Sequence, residues 1–177
     1  QVKVNGDDGS YASIVKLEEK QDVMVTVKKD GYAFDSKLIA KEDFKEEDVT
    51  LRGNDLEVKE MKVGEAYTIN DILYATSSPE LNADSKFILK GFARFLNENP
   101  TIQVSIEGHT DDVGNDAKNM SLSDKRAKGV KNYLVSLGVD ASRLKAKGLG
   151  ETQPKVDNDS ATNRAINRRT EFVIIGL

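Results

Sequence analysis

A change of apolar period across Asn99-Pro100 constrains the fold of this chain more than any other feature. Before it, Ile88, Phe92, Phe95 and Leu96 fall at i, i+4, i+7 and i+8, one face of a helix. After it, Ile102, Val104 and Ile106 alternate with polar residues, the mark of a strand with one buried face. The proline disfavours helix at Asn99 and so enforces the switch. A helix and a half-buried strand joined so closely hide both apolar faces by packing the helix on the sheet.

The same reasoning extends to both sides. Asn82 or Asp84 can cap a helix running to Asn97. Upstream of it, Tyr67 to Tyr74 reads as a strand, with Ile69, Ile72 and Leu73 apolar and Thr76-Ser77-Ser78-Pro79 as its break. A second helix is expected from Ser121 or Ser123, where Ser121 and Asp124 resemble a capping box. Its apolar stripe is Ala127, Val130, Leu134 and Leu137, and Gly138 stops it. Leu144 to Leu149 is a short strand, Asn158 to Arg168 a loop entering a short helix, and Thr170 to Ile175 a last strand. The order β-α-β-α-β-α-β predicts an α+β two-layer sandwich: a mixed sheet with helices on one face. Phe87, Phe92 and Phe95 are expected in its core.

Residues 1–60 read differently. Tyr11 to Leu17 is apolar, and Val23, Val25 and Val27 alternate with Met24, Thr26 and Lys28. Asp30-Gly31 is a turn signal, so a strand starting at Tyr32 should pair with this one as a hairpin. Glu42 to Asp48 reads as a loop, and Val49 to Leu51 and Leu56 to Val58 as further short strands. Two domains follow: a small all-β module over 1–60 and the sandwich over 61–177. Tyr11 and Tyr32 read as module residues whose hydroxyls leave a glycan or partner contact open.

Composition narrows the function. Charged residues make up 32% and hydrophobic residues 38% of the chain, the balance of a globular fold. A net charge of -4 argues against nucleic acid, whose phosphates need a basic face. No apolar run approaches the ~20 residues of a spanning helix. No leader is visible at Gln1, so an exported protein would be a mature form or a piece. Cysteine is absent, which removes thiol chemistry, disulfides and a lipid-anchoring cysteine. With a single histidine, His109, neither His-based catalysis nor a multi-His metal centre is expected. Glu107, His109 and Asp111 could share a strand face, and Asp112 adds an acid, but one histidine without a second cluster makes a poor metal site. Asp111 and Asp112 are adjacent and should point apart, unlike the opposed acids of a glycosidase. No enzyme and no cofactor are therefore expected.

The remaining chemistry lies in Gly108-His109-Thr110-Asp111-Asp112-Val113-Gly114 and the segment Asn119 to Ala127. Asp111 follows a strand, and Arg126, fifteen positions later, is expected in the first turn or so of the next helix, near its positive dipole end. With both exposed, the acid would accept from an ammonium and the guanidinium fork would meet a carboxylate, a match for an amino-acid head group. The simplest alternative is that Asp111 and Arg126 pair with each other, worth ~0–1 kcal/mol at a surface. Arg164, Arg168 and Arg169 could bind an anion or orient the last helix and strand.

These segments resemble the OmpA-like peptidoglycan-binding domain. The likeness covers about residue 65 to 177: Thr110-Asp111-x-x-Gly114, Asn119-x-x-Leu122-Ser123-x-x-Arg126-Ala127, Gly148-Leu149-Gly150-Glu151, Pro154 and Asn163-Arg164-Ala165-Ile166-Asn167-Arg168-Arg169. The resemblance implies a periplasmic, non-enzymatic domain that grips the diaminopimelate of the peptidoglycan stem peptide and anchors an outer-membrane or periplasmic complex to the cell wall. It implies that Asp111 and Arg126 hold the ligand, that the Thr76-Ser77 loop lines the pocket, and that Asn119 and Leu122 hold its wall. Family members often carry Phe-Asp around that loop, where this chain has Tyr74-Ala75-Thr76-Ser77. It further implies Arg168 or Arg169 at the pocket rim. Asp8-Gly9-Ser10-Tyr11 and Lys29-Asp30-Gly31-Tyr32 resemble a carboxypeptidase-regulatory-like β-sandwich lacking its earlier strands. This pair of modules is similar to the C-terminal end of Bacteroidetes envelope proteins, including those of type IX secretion and gliding, whose other partners would bind through a missing N-terminal part. The alternative is a protein–protein interaction module with an unused wall pocket.

Overall fold

The computed structural model describes the strand backbones Val23–Val27 and Asp35–Ile39, residues 59–68, Ile72 and residues 80–177. Strands β1 (Val23–Val27) and β2 (Asp35–Ile39) pair antiparallel, Val23 opposite Ile39 and Val27 opposite Asp35. This is the hairpin expected from the Val-rich alternation, with its second strand described from Asp35 rather than Tyr32. The expected strands at Tyr11 to Leu17, Val49 to Leu51 and Leu56 to Val58, the loop at Glu42 to Asp48, and the Thr76-Ser77 break lie outside the described residues, as do the tyrosine hydroxyls of Tyr11 and Tyr32.

A four-stranded mixed sheet follows, built from β3 (Ala66–Thr68), β4 (Gln103–His109), β5 (Leu144–Gly150) and β6 (Thr170–Gly176) in the order β3-β6-β4-β5. Helices α1 (Ala83–Glu98), α2 (Asp116–Ser136) and α3 (Ala161–Asn167) connect them. Strands β4 and β5 run parallel, which requires a crossover, and α2 supplies it. Strand β6 is antiparallel to both β4 and β3. This is the α+β sandwich that the period changes predict.

Helix α1 begins where expected: the Asn82 side chain accepts from the Ser85 N–H at 2.8 Å. Its stripe of Ile88, Leu89, Phe92, Phe95 and Leu96 is buried against Val104, Ile106, Leu144, Phe172 and Ile174 of the sheet. Phe92 meets the edge of Phe172 at 4.5 Å between ring centroids and stacks on Phe95 at 6.1 Å. Ala127, Val130 and Leu134 of α2 complete the core. Each such side chain is worth ~1.5–3 kcal/mol on burial. Arg143 closes the far end of α1, donating from Nη2 to Leu96 O and Asn99 O, both at 2.8 Å, and from Nε to Ile102 O at 2.9 Å.

Three expectations are corrected. The first is the strand over Tyr67 to Tyr74: β3 spans Ala66–Thr68, and Ile72 is buried outside any strand. Helix α2 starts at Asp116, not near Ser121 or Ser123, and Asn115 caps it by accepting from the Lys118 N–H at 3.2 Å. The inward residues of its first turns are Asn119 and Ser123, so the apolar stripe begins well after the helix does. Helix α3 adds no side chain to the apolar core; its buried residue is Asn167. Its seven residues are held by polar contacts instead.

Candidate ligand-binding site

The end of β4 is fastened on both sides before the acid is reached. The His109 N–H donates to Arg169 O and the Thr110 N–H to Gly150 O, each at 2.9 Å. The Asp111 carboxylate then folds back, its Oδ1 accepting from the Val113 N–H at 3.2 Å, a side-chain turn typical of aspartate. Gly114 takes a φ of +112° and returns the chain to the Asn115 cap.

Asn119 holds this loop from the helix side. Its Nδ2 donates to Asp111 O at 3.3 Å, Val113 O at 3.2 Å and Glu151 Oε2 at 2.7 Å. Two amide hydrogens serving three acceptors leave the two carbonyls sharing, consistent with their longer distances. One turn on, Ser123 Oγ accepts from the Gly150 N–H at 2.9 Å and donates to Met120 O at 2.9 Å. Arg126 follows on the same helix face.

The approach of α2 to the sheet depends on two glycines. A Cβ on Gly108 would lie 2.5 Å from Ser123 O, and one on Gly148 would lie 2.7 Å from both Asp124 Cα and Ser123 Oγ. Only backbone without a side chain lets the helix lie this close, and that seating sets how far Arg126 stands from the loop.

Asp111, Asn119 and Arg126 are all buried, with 8%, 7% and 7% of their surfaces exposed. The expected exposure of Asp111 and Arg126 is therefore corrected. Arg126 is also not at the helix start: it lies ten residues beyond Asp116, about 15 Å along the axis, and out of reach of the dipole end. Leu122 is half-buried on the adjoining face of α2. Thr76 and Ser77 lie outside the described residues.

Asp111 already has a cationic partner. Arg168 Nη1 donates to its Oδ2 at 2.6 Å, and the arginine side chain remains 47% exposed. Arg168 sits at the C-cap of α3, whose position is set by Asn167. That side chain accepts from the Lys155 N–H at 2.8 Å and the Val156 N–H at 3.1 Å, and donates to Val156 O and Asn158 Oδ1, both at 2.8 Å. All its capacity is used in full burial, so the residue before Arg168 is fixed. Sequence reasoning left Arg168 between anion binding and orientation; the Asn-x-x-x-Asn-Arg-Arg run was the signal available.

Arg169 does the orienting. Its Nε donates to Glu171 Oε1 at 2.8 Å, its Nη1 to Asn167 O at 3.4 Å and its Nη2 to Gln153 O at 3.2 Å. Glu171 also faces the buried His109 ring, Nε2 to Oε2 3.4 Å. The His109 ring, and with it the Arg169 guanidinium, hold the Glu171 carboxyl at about 2 against the effect of burial. The 3.4 Å separation is long, and neither His109 nitrogen has a well-directed partner, so the Arg169 contact is the firmer of the two. Asp111 lies past the end of β4 and does not continue the face of Glu107 and His109. Among the described residues no three acidic, His or Cys side chains converge as a metal site would need.

The OmpA family model matches residues 73–168, more than half of the chain. Outer membrane porin F of Pseudomonas aeruginosa is 40% identical over 102 residues, covering 57% of this chain and 29% of the porin. The peptidoglycan-associated lipoprotein of Agrobacterium fabrum is 32% identical over 113 residues, 62% of this chain and 64% of the lipoprotein. The solved cell wall anchor of the T6SS from Pseudomonas aeruginosa superposes with a TM-score of 0.54 at 30% identity, covering 63% of this chain and 80% of that one. The chain thus spans less than two thirds of the length of these curated relatives. The sheet order, the Asp111 loop clamped by α2 and the family match agree: the chain belongs to the OmpA family.

Proposed function

We propose that residues 61–177 form a domain that binds the peptidoglycan stem peptide without covalent chemistry and anchors an envelope protein to the cell wall. Asp111 takes the ammonium of a diaminopimelate head group and Arg126 its carboxylate, with Asn119 and Leu122 shaping the wall and the Thr76-Ser77 loop lining the pocket. The observation that carries this reading is a buried carboxylate whose loop is clamped on both sides, in an OmpA-family chain. Its relatives include a protein named peptidoglycan-associated lipoprotein and one described as a cell wall anchor. Those relatives support a location in the periplasm, at the outer membrane and wall. No turnover is part of this function.

One head group binds on the order of micromolar to millimolar, and firm anchoring comes from many copies on a repetitive polymer. Residues 1–60, with their carboxypeptidase-regulatory-like motifs, serve as a spacer or docking module. An envelope machine of the type IX secretion or gliding class is the setting this arrangement fits. No described helix is long and apolar enough to cross a membrane.

The test is calorimetric titration with meso-diaminopimelate and a muropeptide, beside lysine. Because both charged residues are buried, near-isosteric variants serve better than alanine. Asp111→Asn and Arg126→Gln should each weaken diaminopimelate binding at least about tenfold while the fold persists. Absence of binding to either wall ligand refutes the reading. The rival is a protein-binding module with an unused pocket, favoured by one observation: Arg168 already occupies Asp111.

A further inference from the structure

We propose that Arg168 is a specificity-determining residue of the site: an internal cation that ligand must displace from Asp111, so that only a zwitterion binds well. The inference rests on the wall-ligand reading above. Both Asp111 oxygens are engaged, Oδ1 by the Val113 N–H and Oδ2 by Arg168 Nη1 at 2.6 Å. The acid's side chain is only 11% exposed, and the guanidinium paired with it is half-exposed. An incoming ammonium therefore competes for a place already filled by a charge of the same sign.

The consequence for selectivity follows from charge balance. A ligand with an amine alone separates Arg168 from Asp111 and gives the guanidinium nothing in return. A ligand with a carboxylate alone finds the Asp111–Arg168 pair closed, and opening it would part a buried acid from the cation paired with it. A ligand carrying ammonium and carboxylate on one carbon inserts into the pair: Asp111 exchanges one cation for another, and Arg168 turns to the ligand carboxylate that Arg126 also holds. Arginine suits this because its fork can pair with a new carboxylate in a bidentate manner, whereas it makes a single Nη1 contact with Asp111. The fixed Asn167 before it and the C-cap position keep the long side chain tethered at the mouth as it swings.

Three related probes separate the possibilities: meso-diaminopimelate; cadaverine, which keeps its amine spacing but lacks both carboxylates; and pimelate, which keeps its diacid chain but lacks both amines. The parent should bind diaminopimelate at least about tenfold more tightly than either of the others, the size expected for one lost charge-assisted contact. In Arg168→Met, cadaverine should gain about tenfold because Arg168 no longer competes for Asp111, and the preference for diaminopimelate over cadaverine should shrink accordingly. Arg168→Lys, which restores the cation, should restore discrimination against cadaverine. In the parent, the Arg168 Nε–Hε NMR signal should move on saturation with diaminopimelate, a readout that does not depend on any variant folding. Diaminopimelate binding with no gain for cadaverine in Arg168→Met, or with an unmoved Arg168 signal, overturns this inference and leaves the wall-ligand reading intact. Failure of the parent to bind diaminopimelate overturns both.

Discussion

Replacing Gly148 by alanine should damage both stability and binding, although the residue touches no ligand. A Cβ there lies 2.7 Å from Asp124 Cα and Ser123 Oγ, where ordinary contact begins near 3.4 Å. The obstacle is largely the backbone of α2, which no rotamer change can move aside. The helix must back away from β5 by roughly 1 Å, or the strand must bend. Overpacking of this kind costs about 1–3 kcal/mol, and for a chain of this length each kcal/mol lowers the melting temperature by about 2–4 °C. A fall of about 4–8 °C is therefore expected for a cost near 2 kcal/mol. The same retreat stretches the Gly150 N–H to Ser123 Oγ bond and carries Arg126, one turn along, away from the Asp111 loop. Sites of this kind tolerate about 0.5 Å of error, so diaminopimelate affinity should fall at least about tenfold. Thermal unfolding and calorimetry measure the two effects. Gly64→Ala is the control: its φ of +89° strains an alanine, but no atom lies within 4 Å, so it should lose about 1 kcal/mol and leave binding unchanged. A Gly148→Ala protein that melts and binds like the parent would refute the close-approach argument.

Asn119→Ala should cost about 2 kcal/mol in urea unfolding, because two loop carbonyls and the Glu151 carboxylate lose their donor, and should weaken ligand binding through the loosened 111–114 turn. Unaltered binding would mean the loop is held without it. Arg143→Met should cost about 2 kcal/mol by freeing three carbonyls at the end of α1, with no change in affinity. An affinity loss would contradict its purely structural placement. Glu171 gives a pH dependence: its carboxyl is lowered from 4.5 to about 2 in the fold, so the unfolded chain binds the proton first as pH falls. Its contribution, about 1–2 kcal/mol after solvent screening, is complete above roughly pH 4.5 and lost towards pH 2. Glu171→Gln should flatten that part of the stability profile, and an unchanged slope would show that the carboxylate is not stabilised by its partners.

The fold was legible wherever apolar side chains repeat with a period. The stripe of α1, its Asn82 cap and the Gly138 stop after α2 are all local, and each appears in the structure; β4 forms as expected, but Ser105 on its polar face is buried as well as Val104 and Ile106. The start of α2 was not legible, because its inward positions are filled by Asn119 and Ser123, which serve the loop and Gly150 rather than an apolar core. Asp111 and Arg126 could be singled out by their motif, but their burial could not. Burial of Asp111 depends on Arg168, fifty-seven residues later, and the seating of α2 depends on Gly108 and Gly148, one strand apart. Such long-range conditions leave no trace in local pattern.

Burial of the acid changes what the site can do. An exposed aspartate would attract any cation weakly, with its water shell as the competitor. Asp111 has exchanged that shell for the Val113 N–H, while the Asn119 amide steadies the Asp111 and Val113 carbonyls beside it, so its desolvation belongs to folding and not to binding. What folding leaves to be contested is the single place held by Arg168. Asp112, adjacent in sequence and exposed, illustrates the alternative: the same side chain without a clamp or a partner cation keeps its water. Selectivity in this site therefore arises less from having an acid than from the company the acid keeps. A carboxylate fixed in position and matched to one displaceable cation can discriminate by charge pattern, which a solvated carboxylate cannot.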